Sequence, residues 1–282
     1  MEPFIANADE SGPAMYRLSG WMKTSPGLTA GFTGRTGGAG QPPHASLNVA
    51  LHVGDDARTV QANRERVVKA LGWPFEAWTC AEQVHGSRVY RVEAADRGSG
   101  RLERRDAIAD SDALMTDVPG ILLTSFYADC VPLYFYDPEH GAVALAHAGW
   151  RGTAGRIGAA TVGAMQQAYG TRKERVRAAI GPAIGLCCYE VDAPVLEQIG
   201  PLAAELEAVE GRSALVEPSA PGRARIDLKE MNRRIMIKAG IMPTHIELTG
   251  RCTACRTDRF FSHRAEAGRT GRMASWIGME AR

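Results

Sequence analysis

The sequence predicts an α/β chain: a single compact domain with mixed, largely buried β-sheets covered by helices. Three observations carry this. Apolar runs at 131–136 and 142–146 are nearly continuous, as in strands covered on both faces. Helical segments with cap signals, opening at Asp55–Asp56 and at Asp227, mix with strand-like runs without a strict strand–helix–strand rhythm. The chain has 282 residues, 45% of them hydrophobic, enough for a sizeable core.

Taken in order, residues 1–29 read as a weakly patterned lead-in with one strand, and 30–282 as the domain proper. Glycine and proline make 31–44 a loop. Residues 46–53 read as a short strand or extended segment. Asp55 or Asp56 caps a helix that runs to about Leu71, with Gly72 past its end. Arg64 falls on the apolar stripe of that helix with Val60 and Val67, so it either snorkels to water or turns inward to meet an anion. Strand material at 78–92 is broken by His85–Gly86, and 94–110 is a long polar loop. D-P-E-H-G at 137–141 is a turn signature that joins the two apolar runs into an antiparallel hairpin. Gly149, Gly152, Gly155 and Gly158 recur every three residues into a helix ending near Tyr169. Beside Arg151, that helix start offers either an anion cradle or close helix-to-sheet packing. A strand at 175–180, a helix at 190–210 with Pro194 in its first turn, a helix from Asp227 to Gly240 and strands at 245–248 and 273–277 complete the chain.

Net charge is +1, so no global field favours nucleic acid or a membrane surface. Residues 251–272 hold six Arg against Asp258 and Glu266, which suits a local anion site or a solvated basic surface. Six Cys do not make a disulfide framework in a chain this long. Cys252-x-x-Cys255 has no partner pair in the sequence, so a zinc ribbon is unsupported, and Cys187–Cys188 are simply adjacent. The acidic start lacks a secretion signal, and no stretch approaches the ~20 apolar residues of a membrane helix. Reduced thiols and a cytoplasmic location are the expectation.

The reactive side chains nearest the core strands are His85, Cys130 and His147, with Asp129 and Arg151 as neighbours. Four readings stay open. Two His and one Cys give the three protein ligands of a catalytic zinc, with Asp129 as acid or base and Arg151 as anion holder. The same trio with an axial Met is a blue-copper set. Multicopper chemistry is disfavoured, because the seven His include no His-x-His pair. Cys130 and His147 also suit a Cys/His hydrolase. The fourth reading is a buried Cys with two structural His. Spacing does not choose, since the gaps are 45 and 17 residues.

Short motifs in sequence narrow this. S-L-N-V-A-L-H-V-G-D-D at 46–56, N-R at 63–64, Q-V-H-G at 83–86, D-A-L-M-T at 112–116, A-D-C-V-P-L at 128–133, A-H-A-G-W-R-G-T at 146–153, I-G-P-A-I-G at 180–185, C-Y-E-V at 188–191, C-T at 252–253 and F-S-H-R at 261–264 occur in this order. The chain resembles the laccase-domain, YfiH-like family, whose members are described both as polyphenol oxidases and as purine nucleoside phosphorylases. The resemblance implies a CNF/YfiH-like fold and metal ligands at His85, Cys130 and His147, with zinc expected ahead of copper. It implies Asp129, Cys130 and Arg151 as catalytic residues and Asn48, Arg64, Gln83 and Arg151 as substrate contacts. The implied activity is phosphorolysis of adenosine, inosine, guanosine and methylthioadenosine, with adenosine deamination as a side reaction, in a monomer or homodimer whose partners are a nucleoside and phosphate. The implied alternatives are editing of a mis-built cell-wall precursor and polyphenol oxidation. T-G-R-T-G-G at 33–38 departs slightly from the family pattern, which leaves the role of Arg35 open.

Overall fold

The computed structural model describes residues 1–8, 11–207 and 214–281. Period-two alternation in two fully buried runs decides the architecture. In 131–137, Leu133 and Phe135 face one apolar cluster while Tyr134 and Tyr136 face another. In 142–148, Ala144 and Ala146 join the first cluster, Val143 and Leu145 the second. A sheet that is apolar on both faces needs two covers. Here one is a second sheet and the other a layer of helices.

The first six-stranded sheet holds β1 (Phe4–Ala6), β2 (Met15–Leu18), β3 (Leu28–Thr33), β4 (Trp78–Cys80), β7 (Leu122–Tyr127) and β15 (Met273–Met279), in the order β1-β2-β3-β15-β7-β4. The second holds β5 (Val89–Arg91), β6 (Ala113–Thr116), β8 (Val131–Asp137), β9 (Ala142–Ala148), β10 (Arg177–Ile180) and β14 (Ile246–Leu248), in the order β14-β10-β8-β9-β6-β5. A small antiparallel sheet is built from β11 (Glu190–Asp192), β12 (Val216–Ala220) and β13 (Arg223–Ile226). Both large sheets are mixed, with parallel pairs β4–β7, β5–β6 and β10–β14 at their edges. The helices are α1 (Ser19–Thr24), α2 (Ala57–Leu71), α3 (Trp150–Ala154), α4 (Ile157–Tyr169), α5 (Ala193–Glu207) and α6 (Leu228–Lys238). Val67 and Val68 of α2 pack with Trp78, Leu122 and Trp276 on the outside of the first sheet. Val162 and Met165 of α4 and Met231 and Ile235 of α6 cover the outside of the second. The sheets meet through Phe4, Phe32 and Tyr127 on one side and Tyr134 and Leu145 on the other.

Local signals act as expected at several ends. The Asp56 carboxylate accepts from Thr59 N at 2.8 Å, and Gly72 closes α2 at φ 77°. Asp137 Oδ1 accepts from Glu139 N at 2.9 Å inside the β8–β9 turn. Asp227 caps α6 by accepting from Glu230 N at 3.0 Å.

Four local readings change. Residues 1–29 are no loose lead-in, because β1, β2 and the start of β3 extend the first sheet, with Phe4 and Tyr16 in the inter-sheet core. Their strands are three to six residues long, too short for a clear period. Residues 46–53 form no strand: Asn48 Oδ1 accepts from Ala50 N and its amide donates to Ala50 O, so a side chain supplies the bonds a ladder would have made. The glycine-rich helix is two helices, broken where Arg156 adopts φ 55°. The expected 190–210 helix begins as strand β11, and its end at 208–210 lies outside the described residues.

Across the sandwich, Tyr134 Oη donates to Gly31 O at 2.8 Å, both groups being buried. Tyr134→Phe leaves that carbonyl short of a donor, so urea unfolding should show a loss of about 1–2 kcal/mol with an unchanged slope. An unchanged midpoint would remove this bond from the forces joining the two sheets.

Candidate metal centre

The site forms where strands of both sheets end together. Pro132 of β8 pairs with His147 of β9, so Cys130, just before β8, lies beside His147. The turn after β4 brings His85 to the same point. The ligand atoms of His85, Cys130 and His147 all lie within 4.8 Å of one another, and the two imidazoles meet edge to face with centroids 4.8 Å apart. Of the open readings, a three-ligand metal site fits this convergence best.

One carboxylate holds the cluster. Asp112 Oδ2 accepts from Val84 N at 3.1 Å and Gly86 N at 2.7 Å, and its Oδ1 accepts from His85 N at 3.0 Å. The same Oδ1 accepts from His147 Nδ1 at 2.9 Å, which puts the proton on Nδ1 and leaves Nε2 for a ligand. Asp112 O also accepts from His147 N at 2.7 Å. Burial opposes ionisation of Asp112, but the hydrogen bond and charge of His147 outweigh it and hold the carboxyl below its usual range.

Two residues here have left-handed backbone: His85 at φ 61° and Asp129 at φ 86°. Such geometry persists only where neighbours over-determine it. For His85 the constraint is the Asp112 carboxylate. For Asp129 it is three donors: Thr253 Oγ1 at 2.6 Å, Ser262 Oγ at 3.0 Å and Arg264 N at 2.7 Å. Gly149 is needed for a different reason, since a Cβ there would sit 3.1 Å from Cys130 Sγ and 3.2 Å from His85 Cδ2.

Above the trio lies a cavity of about 400 Å³. Leu51, Phe126 and Ala128 give it an apolar wall, and Arg64, Arg104, Arg264 and Arg272 give it positive charge. Burial first, then the charges of Arg272, Arg104 and Arg64, hold His52 down to about 4, so this lining residue is a neutral imidazole at neutral pH.

The expected substrate contacts divide. Arg64 does turn inward, but it meets carbonyls instead of an anion. Its Nε donates to Val49 O and its Nη1 to Gly100 O and Arg101 O, while the guanidinium lies over Phe126 at 4.9 Å. Gln83 lines the cavity, yet both ends of its amide bond the Phe126 backbone. Asn48 is buried away from the lining; its Oδ1 accepts from Arg272 N at 2.9 Å and its amide donates to Asp55, which sets the loop carrying Leu51 and His52. Arg151 is exposed, stacks on Trp150 at 4.4 Å and is not among the lining residues. The repeated glycines serve packing: a Cβ at Gly152 would sit 3.2 Å from Gly86 O, and one at Gly158 3.3 Å from Leu133. Sequence reasoning missed Asp112, His52, Tyr189 and Arg272 as site residues. Asp112 stood in the quoted D-A-L-M-T motif, but nothing local marked it as the partner of residues 84–86 and 147.

Residues 29–280 match the family described as "Multi-copper polyphenol oxidoreductase laccase". The chain is 43% identical over 263 residues to "Purine nucleoside phosphorylase YlmD" of Geobacillus stearothermophilus, covering 92% of this chain and 94% of the relative. It is 34% identical over 257 residues to "Adenosine deaminase RL5" of an unknown prokaryotic organism, covering 91% and 96%. The crystal structure of YlmD from Geobacillus stearothermophilus matches at TM-score 0.90 and 41% identity, over 99% of this chain and all of that one (100%). The hypothetical protein YfiH of Bacillus licheniformis matches at 0.89 and 38%, covering 98% and 99%. The expected YfiH-like α/β fold is therefore the one observed.

Asp112→Asn keeps the shape but loses an acceptor that serves both the His85 turn and His147. Metal affinity should fall about 10–100-fold in competition with a chelator; unchanged affinity would separate Asp112 from the centre. A second expectation concerns the metal-stripped protein. Burial alone would push the Cys130 thiol up, but the His147 charge and hydrogen bonds from His147 and His85 hold it down to about 6. Burial opposes protonation of His147, but Cys130 and Asp112 lift it to about 9. The lowered thiol stabilises the fold above its unfolded value and loses that contribution as pH falls through about 6. The raised imidazole stabilises it below its unfolded value and loses that contribution as pH rises through about 9. Alkylation of Cys130, read by peptide mapping, should therefore rise with a midpoint near 6. A midpoint at the ordinary thiol value of about 8.5 would mean that no imidazolium faces the sulfur.

Proposed function

The chain belongs to the multi-copper polyphenol oxidoreductase laccase family, and on that premise we propose that it is a zinc-dependent purine nucleoside phosphorylase. Its substrates are adenosine, inosine, guanosine and methylthioadenosine, with adenosine deamination as a second reaction of the same pocket. The observation that supports this is the cavity itself: an apolar wall for a base, a metal-capable trio at its floor and arginines around it for phosphate. The names of the bacillary and RL5 relatives support the two activities.

The trio fits zinc, with two imidazoles, one thiol held low and a carboxylate behind His147. No methionine lines the cavity among the described residues, and Gln83, which does, commits both ends of its amide to the Phe126 backbone, so neither side chain that serves as a blue-copper axial ligand is offered there. Zinc held there supplies a Lewis acid for negative charge that develops on the substrate.

The chain's own residues do the rest. Arg104, paired with Glu82 at 2.7 Å, and Arg272, whose Nη1 donates to Thr270 O and Gly271 O, turn their remaining N–H groups to the phosphate by charge-assisted bonds, with Arg64 fixed behind them. Arg151, outside the lining, leaves the phosphate set. Phe126 and Leu51 pack the base and exclude water. A phosphate oxygen then bonds to the sugar's anomeric carbon as the bond to the purine nitrogen breaks, and the purine leaves with the electron pair and takes up a proton. Asp129 lines the pocket, but its oxygens already accept from Thr253 Oγ1, Ser262 Oγ and Arg264 N, so this carboxylate positions the turn before Cys130.

Purified protein with inosine and phosphate should release hypoxanthine and ribose 1-phosphate. Cys130→Ala should lose zinc from the pocket and more than about a hundredfold of the rate. Phosphorolysis that survived complete metal loss would end the zinc mechanism. No base release from any purine nucleoside, together with binding of a cell-wall precursor, would replace phosphorolysis by precursor editing. Arg104→Ala should raise the KM for phosphate about tenfold and leave that for inosine unchanged; equal effects on both would remove Arg104 from the phosphate site.

A further inference from the structure

The cysteines that had no partners in the sequence find each other in the fold. Cys187, Cys188, Cys252 and Cys255 bring their sulfurs within 4.8 Å of one another. Cys187 Sγ lies 3.5 Å and Cys188 Sγ 3.3 Å from Cys255 Sγ. A zinc ion bound to four thiolates at about 2.3 Å separates its sulfurs by about 3.8 Å, so small side-chain rotations suffice. From these distances we propose that the four cysteines form a second, structural zinc site, separate from the pocket trio.

Three further features suit such a site. Gly185 N donates to Cys252 Sγ at 3.2 Å, a bond that favours the thiolate. Gly185 also packs closely on the cluster, since a Cβ there would lie 3.2 Å from Cys187 Sγ and 3.6 Å from Cys252 Sγ. Four thiolates on one zinc carry two net negative charges, and the buried Lys229 ammonium lies close enough to Cys252 and Cys187 to feel their charge. Lys229 Nζ is held there by Thr249 O at 3.0 Å and Arg251 O at 3.1 Å. Cys187 and Cys255 are exposed, which gives the metal a way in, while Cys252 is buried. On binding, each thiol releases its proton to solvent, and no oxidant or reductant is required.

The site clamps two loops that build one wall of the pocket. Ala183 and Cys252 form a parallel bridge, and Thr253 N donates to Ala183 O at 3.1 Å. Ile184 and Tyr189 from the first loop line the cavity. Thr253 from the second donates to Asp129, whose carbonyl accepts from Ile184 N at 2.9 Å. Zinc at the four cysteines thus fixes the left-handed turn next to Cys130 from outside.

The test uses full-length protein stripped with a chelator and reloaded with zinc alone. Cys130→Ala should still bind one zinc per chain, and adding Cys255→Ser, a change at an exposed position, should abolish it. Cobalt loaded into Cys130→Ala should show thiolate charge-transfer absorption of four-sulfur intensity, lost in the double variant while the far-ultraviolet circular dichroism of the fold persists. If wild type and Cys130→Ala both bind one zinc, the four-cysteine site stands and the pocket metal falls. Cys130→Ala without zinc would overturn the site, and so would a disulfide between Cys187 or Cys188 and Cys255 in non-reducing peptide maps of freshly purified protein.

Discussion

The Asp112 carboxylate is the contact on which the centre depends. It accepts from three successive backbone amides, at 84, 85 and 86, and from the His147 ring. A single buried acid thereby fixes the backbone that carries one metal-capable imidazole and the ring orientation of the other. A carboxylate behind a ligating imidazole also makes it a better donor. Its bond from His85 N helps hold that residue at its left-handed φ with the ring toward Cys130.

The sandwich explains why the three side chains can be this close. β8 and β9 are buried on both faces, so their register is set by the core, and a slip of one residue would turn every apolar side chain to the wrong side. That rigidity transfers to Cys130 and His147 at the strand ends. Beside the trio, left-handed backbone falls on the connecting residues His85 and Asp129, where hydrogen bonds from distant parts of the chain compensate it. The pocket floor lies at strand ends, while segments from 48–55, 81–107, 183–189 and 253–272 supply the walls.

Much of this was legible in the sequence because it rests on local rules. The hairpin turn at 137–141, the Asp56 and Asp227 caps and the two-faced burial of the central strands follow from residue type and period. The trio was legible as chemistry, since Cys and His at strand ends near the core are few. What stayed hidden depends on contacts between distant segments. Asp112 reads as one more strand-edge acid until residues 84–86 and 147 fold onto it. Arg64 stood between an outward and an inward reading, and the carbonyl partners at 49, 100 and 101 that draw it inward lie in loops whose path no period reports. The isolated pair Cys252-x-x-Cys255 is completed by Cys187–Cys188, which lie more than sixty positions earlier in the chain. The glycine repeat misled for the opposite reason: small residues suit an anion cradle and close packing equally, and only neighbouring atoms tell the two apart.

Placed together, the buried acid, the strained turns and the arginine-lined cavity describe a pocket in which three metal-capable side chains face an apolar wall and positive charge. The most direct measurement is zinc reconstitution. Chelator-stripped protein is titrated with zinc while inosine phosphorolysis is followed together with the pocket occupancy, read as the metal bound by wild type in excess of Cys130→Ala. Activity should rise in proportion to that occupancy and saturate at one pocket zinc per chain. Full phosphorolysis in the stripped protein, or a zinc-filled pocket with no gain in rate, would contradict the account.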